Sequence, residues 1–320
     1  MTMASKKPLF VNVDGVNIPI FFSQECFKSA LRFQPKDGDI FIATYMKCGT
    51  TWMQNLVLNI LRKGKPLEHP KDFFLASPFL DQLGSEDSEK MMIRPGAYKT
   101  HLPLHKIPWS DNAKYIYVAR NPKDCCVSYY HHMRQIPGYQ FADATFDEYL
   151  NLFVKGEVEF GDYFDHLHPW YEMRNAPNVF FTTFENMKQN LREVTMKVAK
   201  FINEDTAEYL KEHADVFEKI LHNCSFDVMK SFINKSLSFL YSSDSQKLLA
   251  DSNVPKGRKH IIAYNNSNTS LKSNGINFIR KGRVGSWKEE LTPMQNDVLK
   301  KWMNEKCKNR DILLLWENII

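Results

Sequence analysis

The spacing of apolar residues changes abruptly at one point in the first sixty positions. Asp39-Ile40-Phe41-Ile42-Ala43-Thr44-Tyr45 is a short β-prone run with apolar residues on both faces, as a strand buried on both sides of a parallel sheet requires. From Thr50 onward Trp52, Met53, Leu56, Val57, Ile60 and Leu61 recur at helical spacing, until Arg62-Lys63-Gly64-Lys65-Pro66 ends the pattern. Met46-Lys47-Cys48-Gly49 lies between, so the unit reads as a strand, a glycine-containing turn and a helix N-terminus. It recurs at Lys114-Tyr115-Ile116-Tyr117-Val118-Ala119, followed by Arg120-Asn121-Pro122 with proline at a first helical turn, where a missing N–H is harmless. A third strand is predicted at Asn178-Val179-Phe180-Phe181-Thr182-Thr183-Phe184, before a helix running through about Phe201. This alternation predicts an α/β fold in a single domain over 1–320, with a central, mostly parallel sheet flanked by helices. The stretch from about 241 to 277 is rich in Ser, Asn and Lys and has no sustained apolar period, which predicts a long loop or a partly ordered insertion.

The 43% hydrophobic content is that of a globular protein. A net charge of +5, from 42 basic against 37 acidic residues, is too small and dispersed for a nucleic-acid coat, and an anionic small ligand suffices to explain it. Asn12 and Asp14 break the apolar patch near the N-terminus, and no run approaches the roughly 20 apolar residues of a membrane span, so a cytoplasmic protein without membrane contact is expected. Six scattered cysteines lack the paired spacing of zinc ligands or a disulfide scaffold; free thiols and no metal site are expected.

The turn carries candidate chemistry. The first amides of a helix lack partners and the helix dipole is positive there, so Lys47-Cys48-Gly49-Thr50-Thr51 offers an anion those amides, a cation and two hydroxyls. It is not a nucleoside-triphosphatase loop, in which the lysine follows the glycine, and that argues against a nucleotide kinase.

With its flanks the loop reads Thr44-Tyr45-Met46-Lys47-Cys48-Gly49-Thr50-Thr51-Trp52, which resembles the T-Y-P-K-S-G-T-T-W loop of the cytosolic sulfotransferase family. Arg280-Lys281-Gly282-Arg283-Val284-Gly285-Ser286-Trp287-Lys288 is similar to the family's R-K-G-x-x-G-D-W-K. Lys99-Thr100-His101-Leu102-Pro103, Tyr117 to Asp124 and Ser128-Tyr129-Tyr130 match further family blocks in the same order.

The resemblance implies a P-loop-like phosphate site and, as sulfuryl donor, 3′-phosphoadenosine 5′-phosphosulfate (PAPS), with its desulfated form (PAP) as product. It assigns Lys47, Cys48, Gly49, Thr50 and Thr51 to the 5′-phosphosulfate, Lys99 to the sulfuryl oxygens, and His101 to removing the acceptor proton. Trp52 and Phe226 would sandwich adenine beside Cys224 and Ser225, with Phe184 where the family often has a tyrosine. Arg120, Ser128, Arg280, Lys281 and Gly282 would hold the 3′-phosphate. Met46 and Cys48 depart from the family's proline and serine, and Cys224 from its threonine. Lys288 to Asp297 departs from the dimerisation motif K-x-x-x-T-V-x-x-x-E at Pro293 and Asp297, so a homodimer is possible but its motif is altered.

The 23 phenylalanines, including Phe21, Phe22, Phe73, Phe74, Phe79 and Phe141, are enough to line an apolar acceptor pocket for a phenol, steroid, retinoid or similar hydroxyl compound, while most of them must belong to the core. The resemblance leaves two further outcomes open. One is a non-catalytic protein that binds PAPS or PAP; the other is a dehydratase that eliminates the sulfate ester it has formed.

Overall fold

The computed structural model describes residues 7–238, 245–268 and 278–319. A four-stranded parallel sheet lies at its centre: β3 (Ile40–Ala43), β4 (Tyr98–Thr100), β5 (Lys114–Ala119) and β6 (Val179–Thr183), in the order β4-β3-β5-β6. A separate antiparallel hairpin, β1 (Phe10–Val13) with β2 (Val16–Pro19), precedes it.

The sequence of β3 and β5 decides which side chains meet. Phe41 and Ala43, with Tyr115, Tyr117 and Ala119, point into one core; Ile40 and Ile42, with Ile116 and Val118, point into the other. One face is therefore a stack of aromatic rings, with Phe41 5.1 Å from Tyr115 and 5.2 Å from Tyr98. The other is aliphatic and packs on Met53, Leu56, Val57 and Ile60 of the helix Thr50–Leu61. Burial on both faces is why these strands read as unbroken apolar runs. The aromatic-face core takes in residues from Val13 to Trp316.

Because all four strands run parallel, their C-terminal ends share one edge. From β3 the chain passes to β4 on one side, and from β5 to β6 on the other. The ends of β3 and β5 thus flank the position where connections diverge, the crevice in which open α/β sheets bind ligands.

The structure corrects two expectations. The stretch 241–277 is not one long loop: Ser245–Ala250 and Lys256–Ser267 are helices, while 241–244 and 269–277 lie outside the described residues. The second of these helices is held by another element. Gly257 packs so closely that an added Cβ would lie 2.0 Å from the Gln82 carbonyl oxygen, and the Lys256 amide donates to Asp87 at 2.6 Å. The helix expected to run through Phe201 is broken at Asn190 into Phe184–Gln189 and Leu191–Ile202. Pro293, a departure from the dimerisation motif, opens the helix Pro293–Lys306 behind a reciprocal Thr292 and Gln295 cap. Among the described residues no helix is long and apolar enough to cross a membrane.

Candidate functional site

A cavity of about 310 Å³ opens at the C-terminal edge of the sheet. Each strand end delivers to it: Met46, Lys47, Gly49 and Thr50 after β3, Lys99 and His101 at β4, Arg120 after β5 and Phe184 after β6.

The loop after β3 is shaped for an anion. Gly49 takes φ +98° as the residue preceding the helix Thr50–Leu61, a conformation suited to glycine, and its added Cβ would lie 2.9 Å from the Phe184 ring. No side chain caps that helix, which leaves its first amides for an incoming group. Lys47 also has positive φ. Its ammonium sits 4.1 Å from the centre of the Phe278 ring, and burial together with the nearby Lys99 and Arg120 lowers its pKa to about 7. Lys99, over Phe79 at 3.8 Å, is brought down by burial to about 8.

His101 is buried at the end of β4. Its Nδ1 is 2.8 Å from the Thr44 carbonyl oxygen, which can only accept, so Nδ1 carries the proton and Nε2 the lone pair. Burial, then the charge of Lys99, holds its pKa well below the ordinary histidine value. The main chain here is fixed from two sides. Asp81 accepts the His101 amide at 2.7 Å and the Thr100 hydroxyl at 2.6 Å, while His166 Nε2 donates to the His101 carbonyl at 3.1 Å. Burial raises Asp81 to about 6 against those bonds and lowers His166 to about 4.

Arg120 bridges two segments, donating to the Lys47 carbonyl at 3.1 Å and the Arg283 carbonyl at 3.3 Å, with its guanidinium 4.4 Å over the Phe184 ring. Ser128, Arg280, Lys281 and Gly282 line the same cavity. Gly282 is required where it stands: φ is +58°, and a Cβ would press to 2.3 Å from the Phe226 ring. Asp124 anchors the residues that follow, accepting from the amides of Gly285 at 2.6 Å and Trp287 at 2.9 Å and from the Ser286 hydroxyl at 3.0 Å.

Trp52 and Phe226 both line the cavity, and Trp52 Nε1 donates to the Cys224 carbonyl at 3.0 Å. Lys188 Nζ lies 5.9 Å from one ring and 5.8 Å from the other. The apolar end is walled by Phe21, Phe22, Phe79, Ile136, Tyr139 and Phe160.

Most of the expected residues converge on this cavity, including Thr51 and Cys224; Cys48 and Ser225 do not line it. Cys48 is buried behind the loop, its thiol 3.6 Å from the Met46 carbonyl oxygen and 3.8 Å from the Cys125 sulfur. Of the expected phenylalanines, Phe21, Phe22, Phe74 and Phe79 reach the cavity, whereas Phe73 and Phe141 are core. Residues missed by sequence reasoning are His131, His132, Lys188 and Glu159, together with the supports Asp81, Asp124 and His166. Glu159, raised by burial to about 7, accepts from Tyr139 at 2.6 Å inside the apolar end. Apart from Asp124, which closes the family-like block Tyr117 to Asp124, nothing local in the sequence marks these residues.

Residues 37–257 and 232–311 match the sulfotransferase domain family. Sulfotransferase 1C2 of Rattus norvegicus is 33% identical over 278 residues, covering 83% of this chain and 81% of its own. Sulfotransferase 1 family member D1 of Mus musculus is 31% identical over 313 residues, covering 93% and 95%. Among solved structures, mouse sulfotransferase SULT7A1 complexed with PAP superposes with a TM-score of 0.67 at 26% identity, covering 97% of this chain and 98% of that one.

Proposed function

The chain belongs to the sulfotransferase family, and from that premise we propose that it transfers a sulfuryl group from PAPS to a hydroxyl of a small, largely apolar acceptor. The observation that carries this reading is the junction inside one cavity. A neutral His101, with its lone pair on Nε2, stands beside Lys47 and Lys99 where an apolar wall meets a cationic one. An acceptor hydroxyl seated against the phenylalanines gives its proton to Nε2 as its oxygen forms the bond to sulfur. The bond from sulfur to the 5′-phosphate oxygen breaks, and the charge appearing on that oxygen meets Lys47 and the loop amides. Lys99 neutralises the sulfuryl oxygens. Arg120, Ser128, Arg280, Lys281 and Gly282 hold the 3′-phosphate, and Trp52 and Phe226 hold adenine between their rings. The structure of SULT7A1 with PAP supports the choice of donor. The six buried free thiols suit a reducing compartment such as the cytosol.

The test is a PAPS-dependent transfer screen over phenols, steroids, retinoids and catechol amines, with products identified by mass. A sulfate ester with any of them supports the proposal. PAP binding without a product from any acceptor would favour a binding protein, and release of free sulfate with a dehydrated acceptor would favour a dehydratase.

A further inference from the structure

The basic segment after residue 279 is not held by solvent. Arg280 Nη1 donates to Glu290 Oε1 at 2.5 Å, and Lys281 Nζ reaches the same oxygen at 2.8 Å. The other oxygen, Oε2, accepts from His131 Nε2 at 2.5 Å. Burial would raise this carboxyl, but the bonds from Lys281, His131 and Arg280 hold it at about 2, so it stays ionised through neutrality. Lys281 also bonds Glu289 at 3.0 Å, which in turn takes Arg283 at 2.9 Å.

The arrangement has a direction. Arg280, Lys281 and His131 line the cavity and Glu290 does not, so the carboxylate grips the three donors from behind the surface they present. His131 lies three residues after Ser128 on the helix Pro122–Gln135, which places the two on one helical face. Glu290 therefore ties the segment carrying Arg280, Lys281 and Gly282 to the helix carrying Ser128. The two groups come from distant parts of the chain. The cavity also holds Lys47, Lys99, Arg120 and Lys188, and without a counter-charge the cations of the basic segment would be driven apart.

We propose that Glu290, acting through His131, is the positioning residue for the donor's 3′-phosphate, holding Arg280 and Lys281 in register with Ser128 before the nucleotide arrives. This rests on assigning those residues to the 3′-phosphate. Preorganised cations spare the bound state the cost of ordering long side chains, so the benefit appears only for a ligand that carries that phosphate.

Calorimetric titration at fixed ionic strength with adenosine 3′,5′-bisphosphate and adenosine 5′-monophosphate tests this. In Glu290→Gln the bisphosphate is expected to weaken by about tenfold, as for loss of charge-assisted hydrogen bonds, and the monophosphate by less than about twofold. The donor KM should rise by the same factor as the bisphosphate dissociation constant, with kcat little changed. His131→Gln, which keeps an N–H donor, should behave as the native protein, and His131→Phe should follow Glu290→Gln; this pair carries the test where Glu290→Gln fails to fold. Equal weakening of both nucleotides, no weakening, or tighter bisphosphate binding overturns the inference. A native protein that does not prefer the bisphosphate instead overturns the 3′-phosphate assignment, and the inference with it.

Discussion

His101 gives its Nδ1 proton to the main-chain carbonyl of Thr44, 2.8 Å away at the end of the neighbouring strand, so the backbone of β3 selects the tautomer of a side chain on β4. No side-chain substitution at Thr44 removes that acceptor. His101 and the loop that carries Lys47 are built from one pair of strand ends.

Replacing His101 by Ala should lower turnover by about 10²–10⁴-fold. Bisphosphate binding should be nearly unchanged, because the role proposed for the imidazole is on the acceptor. The pH profile follows from the depressed pKa: the base is active when neutral and is lost only as pH falls through that pKa. The acid limb of kcat/KM for the donor, which reports the free enzyme, should therefore lie well below 6.5. A limb centred at 6.5 or above, or near-native turnover in the variant, removes His101 as the base.

Lys47 and Lys99, lowered to about 7 and about 8, carry charge below those values and lose it as pH rises through them. An anion favours the charged forms, so bisphosphate affinity should decline from pH 7 to 9, and binding at pH 8 should take up protons. Calorimetry in two buffers of different ionisation enthalpy measures this directly. Binding at pH 8 without proton uptake contradicts the shifted lysines.

Asp124 holds the turn after the basic segment with three bonds from Gly285, Ser286 and Trp287 and a fourth from Asn121 Nδ2 at 2.8 Å. Asn in its place sets an N–H₂ group against N–H donors. We expect Asp124→Asn to cost about 3 kcal/mol in urea unfolding and to weaken the bisphosphate. An unchanged unfolding midpoint would show that the turn stands without it.

Gly257 seats the helix Lys256–Ser267 against Gln82, and Tyr264 of that helix approaches the cavity residue Phe21 with ring centres 6.1 Å apart. Gly257→Val should unseat the helix, speeding limited proteolysis within it by about tenfold and raising the acceptor KM while leaving bisphosphate affinity intact. Cleavage at the native rate, or a loss confined to the nucleotide, would separate this helix from the acceptor end.

What the sequence disclosed followed from where each signal is local. The strand, turn and helix around Lys47 lie within about twenty consecutive residues, and their change of period is plain. β4 is three residues long and has no pattern of its own, so Lys99 and His101 were reached only by resemblance. The helix Lys256–Ser267 has no apolar period to reveal it, because few of its residues are buried and its seat, Gln82 with Asp87, is supplied by another helix. Glu290, Glu159 and Asp81 were missed for a related reason: an acidic residue is ordinarily a solvated charge, and only the fold shows three donors, a tyrosine or a strand-end amide aimed at it. Composition cannot sort phenylalanines between wall and core, and only the fold places Phe73 and Phe141 in the core.

The parallel order β4-β3-β5-β6 also sets how the molecule can diversify. Lys47, Lys99, His101, Arg120 and Phe184 stand on or shortly after strand ends whose spacing is fixed by backbone pairing, whereas Phe21, Ile136 and Tyr139 of the apolar wall, and Tyr264 beside Phe21, are supplied by segments outside the sheet. Residues on the second set can be exchanged without disturbing the register of the first. Libraries confined to those four positions should therefore yield new preferences at the apolar end on an unaltered strand-end frame, and gene duplicates would be free to drift in the same direction.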